Sequence, residues 1–180
     1  MALSLPTHRP AEPDPETCTP EGTIVAQRYR ALEGATVLVY TVSGERGTSF
    51  YAAACLGCTF RAAETAARTP MSEQDAALAV NAHAAGCRAV PRGVPAAPDG
   101  DQAAKIVRSR LWSKRTYSDQ PRTVNLSDFH QDRVDLRRPA DFIKRTMLQL
   151  VRDEPDFLTA EPCSSGTGIR FLVLPHPSRS

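Results

Sequence analysis

The chain has 180 residues, 41% hydrophobic and 23% charged, with a formal net charge of +2; these are ordinary values for a globular protein that builds one core or two small units. No run of about 18 apolar residues occurs, which excludes a transmembrane helix, and the opening MALSLPTHRPAEPDPE lacks the basic n-region of a secretory signal. Five cysteines without such a signal point to a reducing cytoplasmic setting, where paired cysteines hold metal more often than they form disulfides; neither a membrane nor a small-molecule substrate is expected as a partner.

In chain order, residues 1–22 are rich in proline and poor in large apolar groups, and read as a disordered arm. The stretches ATVLVYTVS and TSFYAAA have the β-branched and aromatic content of strands, with Gly44 and Gly47 in the turn between them. TFRAAETAARTP, over 59–70, reads as a short alanine-rich helix stopped before Pro70. Ser72 and Asp75 form a capping pair that opens a second helix over EQDAALAVNAHAA, with Gly86 at its end. Residues 90–103 read as a proline- and glycine-rich linker. A helix from about Gln102 to Arg115 follows, then a polar stretch, then a short helical candidate, LSDFHQDR. PADFIKRTMLQLVRDE is the strongest helix of the second half. The chain closes on DFLTAEP, the turn CSSGTG and IRFLVLP, a second hairpin.

The first chemical signal is CLGC, Cys55 and Cys58, followed by HAAGC, His83 and Cys87. A CxxC at a strand end forms a knuckle that aims two thiolates at one point. His83 and Cys87 are four apart and share a helical face. Zinc takes four such ligands tetrahedrally, and a closed set of three cysteines and one histidine leaves no position for a substrate, so the expected Zn2+ is structural. A redox CxxC would sit in a βαβ pattern, which is absent. The layout over residues 36–87 resembles a ββα zinc finger, which also draws its last two ligands from the helix C-terminus. The 24 residues between Cys58 and His83 are about twice the usual spacing, so the resemblance carries no base-reading positions. Cys18 and Cys163 read as bystanders.

The second signal is charge. Residues 1–100 carry 8 basic and 10 acidic side chains, and residues 101–180 carry 14 and 10. Any polyanion would therefore meet the second half, where Lys105, Arg108, Arg110, Lys114 and Arg115 cluster. Ile143, Met147, Leu150 and Val151 form an apolar stripe at helical spacing. The opposite face holds Lys144, Arg145, Gln149 and Arg152, residue types that reach base edges and phosphates. A basic amphipathic helix followed by a hairpin is similar to the end of a winged helix-turn-helix domain over residues 104–175. That resemblance implies a third helix in the DNA major groove and a wing, for which Arg170 is the nearest basic residue. His130 with Asp128, Asp132 and Asp135 lacks a second cluster to work against and reads as a surface helix, with no catalytic role.

The fold expected is therefore α+β, with the arm at 1–22, a ββα zinc-binding module over 23–89, the linker and a winged-helix-like domain. The function expected is non-enzymatic double-stranded DNA binding, as a transcription regulator or an accessory factor of replication or mobile elements. The competing expectation is a protein–protein adaptor that uses the zinc module as its surface and Trp112 as an anchor.

Overall fold

The computed structural model of the chain describes residues 19–42, 50–163 and 168–177. Most of the expected arm, Cys18, both turn glycines Gly44 and Gly47, and residues 164–167 of the second hairpin lie outside these. Among the described residues the first sheet has four antiparallel strands in chain order: β1 (Ile24–Arg30), β2 (Thr36–Thr41), β3 (Ala52–Cys55) and β4 (Arg61–Ala62). The two expected strands are the central pair, and the hairpin is widened by a strand on each side.

Antiparallel sheets commonly leave one face to water and show alternating burial. Here β2 is buried at five consecutive positions, Thr36 to Tyr40, because both faces are covered. Val37, Val39, Ala53 and Cys55 point to one side and pack against Ala76, Val80 and Ala84 of α1 (Glu73–Ala84). Leu38, Tyr40, Ala52 and Ala54 point to the other, against Val134 from the second half of the chain. The alanines of β3 stand opposite the larger residues of β2, with Ala52 across from Tyr40 and Ala54 across from Leu38. A bulge between Val25 and Gln27 lets β1 serve both faces: Val25 packs on the second side and Tyr29 on the first. Helix α1 carries the expected capping box, with Ser72 accepting from the Asp75 backbone N–H and Asp75 from that of Ser72.

The segment 59–70 is not helical. Arg61 and Ala62 pair with β3, and a tight turn follows, in which the Thr65 N–H donates to the Thr69 carbonyl at 2.8 Å and Arg68 takes φ +59°. Alanine's helix preference is a weak local term, and the cross-strand bonds together with the contacts of the Arg61 side chain override it.

The second half comprises α2 (Gly100–Trp112), β5 (Arg122–Val124), a 3-10 helix at Leu126–Asp132 that runs into α3 (Arg133–Leu136), α4 (Ala140–Asp153), β6 (Leu158–Pro162) and β7 (Ile169–Val173). Strand β5 was not legible in a stretch that reads as polar. The three strands form a sheet in the order β5-β7-β6. Val107 and Leu111 of α2, Phe129, Ile143 and Met147 of α4, and Phe171 of β7 are all buried in one core. The apolar stripe of α4 faces inward as its spacing predicts.

The two halves are not tethered beads. Residues 100–103 of the expected linker already belong to α2, capped by the Asp99 carboxylate on the Gln102 N–H at 2.7 Å. Residues 90–99 are held to the body: Val94 packs with the Tyr40 cluster, and Arg137 and Arg138 donate to the carbonyls of Pro95 and Pro98. The Tyr40 hydroxyl donates to the His130 carbonyl at 2.7 Å. Gly22, at φ +82°, lies so close to the α3–α4 corner that an added Cβ would meet the Arg138 carbonyl oxygen at 2.5 Å.

His130 corrects the expectation of a surface helix, because it is only 4% exposed. Burial, reinforced by the nearby Arg133 charge, pushes its imidazole down to about 4. The folded value lies below the unfolded one, so the unfolded chain takes the proton first. Stability is full above about pH 6.5 and falls toward pH 4, with a loss on the order of 2–3 kcal/mol by pH 4.5. Urea titrations of the wild type and His130→Gln across this range are expected to converge as the pH falls. The difference between them separates this effect from acid loss of any bound metal.

Candidate metal centre and basic helix

Four elements bring the Cys and His side chains together. Cys55 is the last residue of β3 and is fully buried. The chain then turns back on itself, with the Cys55 N–H donating to the Phe60 carbonyl at 3.1 Å, which places Cys58 beside it. Gly57 sits inside this knuckle because residues 89–90 pass directly over it. A Cβ there would lie 2.6 Å from that of Ala35 and 2.8 Å from the Val90 carbonyl oxygen. His83 is in the last turn of α1. Cys87 lies just beyond the helix end rather than on its face. It is fixed by its N–H to the His83 carbonyl at 2.9 Å and by its own carbonyl, which accepts from the Leu32 N–H at 3.0 Å.

One ligand atom from each of Cys55, Cys58, His83 and Cys87 lies within 4.8 Å of all the others. Tetrahedral metal–sulfur bonds of about 2.3 Å put ligand atoms roughly 3.8 Å apart, so the cluster is preformed to within a small contraction. One pair, Cys58 Sγ and His83 Nε2, is already at 3.4 Å. None of Cys55, Cys58, Cys87 and Cys163 is in a disulfide. The surroundings suit a bound cation. Burial pushes the Cys55 thiol above its ordinary value, so a positive charge is needed to keep the sulfur ionised, and the Gly57 N–H donates to it at 3.4 Å. Burial also pushes the His83 imidazole down, toward its neutral ligating form, and Phe60 stacks on the ring at 4.0 Å. The arrangement can hold a metal ion, and all four ligands come from the protein. Cys163 follows the end of β6, beside Gly168 and outside the cluster.

The ten basic and amide candidates of the second half divide in two. Arg108 makes a two-pronged pair with Glu154 at 2.7 and 2.6 Å, and Arg110 one with Asp132 at 2.6 Å on both prongs. Lys114 reaches Asp128 at 2.5 Å, Arg170 reaches Glu161 at 2.7 Å, and Arg115 donates to the Leu174 and Pro175 carbonyls. These five are spent on the fold. Lys105 on α2 and Lys144, Arg145, Gln149 and Arg152 on α4 are exposed. Along α4, Arg152 donates to Gln149 and Gln149 to Asp153, while Lys144 lies 3.9 Å from Asp141.

Sequence reasoning missed the part played by the aspartates around His130. Asp128 takes Lys114, Asp132 takes Arg110, and Asp135 takes the Arg61 guanidinium at 2.6 and 3.0 Å. Arg61 also donates to the carbonyls of Cys55, Cys58 and Phe60, at 2.8, 3.2 and 2.8 Å. One side chain therefore ties the Cys55–Cys58 knuckle to α3. The spacing of three acids by three or four residues, opposite an arginine-rich helix, was the available signal.

No helix among the described residues is long and apolar enough to cross a membrane. The chain matches no protein-family model, no curated protein and no solved structure.

Proposed function

We propose that the chain is a zinc-stabilised, double-stranded-DNA-binding protein whose α4 is the recognition helix. The observation that carries this reading is the outward face of α4, where Lys144, Arg145, Gln149 and Arg152 are exposed while Ile143, Met147 and Leu150 anchor the helix in the core. The element order adds support. Helix α2, β5, the 3-10 helix with α3, then α4, β6 and β7, with the strands ordered β5-β7-β6, is the succession expected of a winged helix. Three thiolates and an imidazole in a closed cluster favour zinc over metals that prefer oxygen ligands.

Phosphate contacts release counterions, so affinity falls with salt by a slope of about 0.9 per contact on duplex DNA. Replacing both Lys144 and Arg145 by Ala is expected to weaken binding at least tenfold near 0.1 M salt and to flatten the slope by nearly two, with thermal stability unchanged. Fluorescence anisotropy on a mixed-sequence duplex at several salt concentrations measures both. Unchanged affinity and slope would remove α4 from the interface.

A protein-adaptor reading is favoured by a different observation. Five expected phosphate contacts are engaged with carboxylates or carbonyls of the chain itself, while Trp112 at 43% and Tyr117 at 88% exposure remain open. Absence of DNA binding at 0.05 M salt would favour that reading.

A further inference from the structure

Between the two halves lies a cleft of about 490 Å³ that the readings above do not use. That is the size of a small-molecule site. Four cationic side chains line it from separate places: Arg68 from the turn after β4, Arg110 from the last turn of α2, Lys114 from just beyond that helix, and Arg122 from the start of β5. Arg110 and Lys114 are already paired, with Asp132 and Asp128, so they shape the local field without being available to bind. Arg68 and Arg122 are exposed and form no ion pair with any described residue. Their planar guanidinium forks match phosphate oxygens in a two-pronged geometry. Asp128 also lines the cleft, but it is engaged by Lys114 and by the Asn125 N–H at 2.8 Å. Glu64 stands at the wall as an opposing charge. Phe50 and Pro70 supply an apolar surface, and the Phe50 ring lies 6.2 Å from that of buried His130. A mostly polar cleft with two available arginines and, beside them, the apolar surfaces of Phe50 and Pro70 is the chemistry of a phosphorylated ligand with an organic body, larger than a bare ion.

The geometry points to this cleft as a binding site for a phosphate group, gripped by Arg68 and Arg122 and carried by a free nucleotide or by one nucleotide unit of a nucleic-acid strand. The site does not depend on α4 acting as a recognition helix. Glu64 gives the site a signed test, because it repels the same ligand that the arginines attract.

The experiment is calorimetric titration of the full-length, metal-loaded chain at low ionic strength with inorganic phosphate and with adenosine 5′-monophosphate. Saturable binding is expected, tighter for the nucleotide. The double variant Arg68→Gln, Arg122→Gln is expected to weaken it tenfold or more, and Glu64→Gln to tighten it several-fold. All three positions are exposed, and unchanged thermal midpoints will show that the fold is retained. If duplex DNA displaces the nucleotide and the double variant flattens the salt slope for DNA by nearly two, the phosphate comes from a strand; if DNA does not compete, it comes from a free nucleotide. Lack of saturable binding by either probe, or binding indifferent to all three substitutions, would overturn the site. The same titration on the Lys144→Ala, Arg145→Ala variant keeps the two proposals apart, because loss of DNA binding there leaves nucleotide binding intact.

Discussion

Stripping the metal is expected to unfold both halves of the chain in one transition. The core around the cluster is thin, since half of its ten buried residues are alanine, and each buried methylene contributes only about 0.8 kcal/mol. A structural zinc site supplies on the order of 10 kcal/mol of apparent folding free energy in small modules. Loss of the ion would therefore exceed what Val37, Val39 and Val80 contribute. The collapse would not stop at residue 89, because the far face of the same sheet carries Leu38 and Tyr40 into contact with Val134. Cys58→Ser or His83→Ala should act in the same way as chelation. Circular dichroism reports the whole chain, and the single tryptophan, Trp112, lies in the second half. The two signals are expected to move together at a midpoint lowered by tens of degrees. Apo protein that keeps the holo midpoint would show that the cluster is not a structural metal site. A Trp112 transition that stays in place would show that the halves fold separately.

Arg61→Ala carries the second largest expectation. Its side chain is 18% exposed and makes a two-pronged pair with Asp135, and it also satisfies three knuckle carbonyls. Hydrogen bonds to charged groups contribute about 1.5–3 kcal/mol, and stranding partly buried acceptors adds to the loss. The substitution is expected to cost about 3 kcal/mol and to weaken metal affinity about tenfold, since the carbonyls of both Cys55 and Cys58 lose the group that orients them. Asp135→Asn keeps those carbonyls bonded. Because Asp135 is 44% exposed, water screens the lost charge, and a cost nearer 1 kcal/mol follows. Chelator competition and urea unfolding on both variants give the two quantities. Equal metal affinity in wild type and Arg61→Ala would reduce the arginine to an ordinary inter-element tie.

The features legible in the sequence were those fixed by local chemistry. The cluster of Cys55, Cys58, His83 and Cys87 could be read because two short pairs carry the spacing of metal ligands within the sequence itself. The stripe of Ile143, Met147 and Leu150 could be read because a helix repeats it, and Ser72 with Asp75 could be read because the cap spans only three residues. What was not legible depended on partners distant in the chain. Residues 59–70 have helix-forming composition, yet β3 and Asp135 draw Arg61 into a strand. Strand β1 alternates in burial, but it places Gln27 among its inner positions and Arg28 and Arg30 among its outer ones, so no apolar run announced it. The arginines of α2 read as a patch for a polyanion because their carboxylates lie 22 and 46 residues downstream. Proline in 90–99 suggested freedom, but the carbonyls of Pro95 and Pro98 are held by arginines some 40 residues away.

The pairing of β2 with β3 also makes the ligand cluster a reader of strand alignment. Cys55 stands opposite Val37 and so points toward α1 and His83. Sliding β3 by one residue would turn its side chains to the other face of the sheet, carrying the Cys55 sulfur toward Val134 and away from the other three ligands. Three of the four residues of β3 are alanine, so packing alone distinguishes the two alignments poorly. Only the native one assembles four ligands. An ion present during folding would then act as a proofreader, drawing misaligned chains back through the open state until the sulfur meets the imidazole.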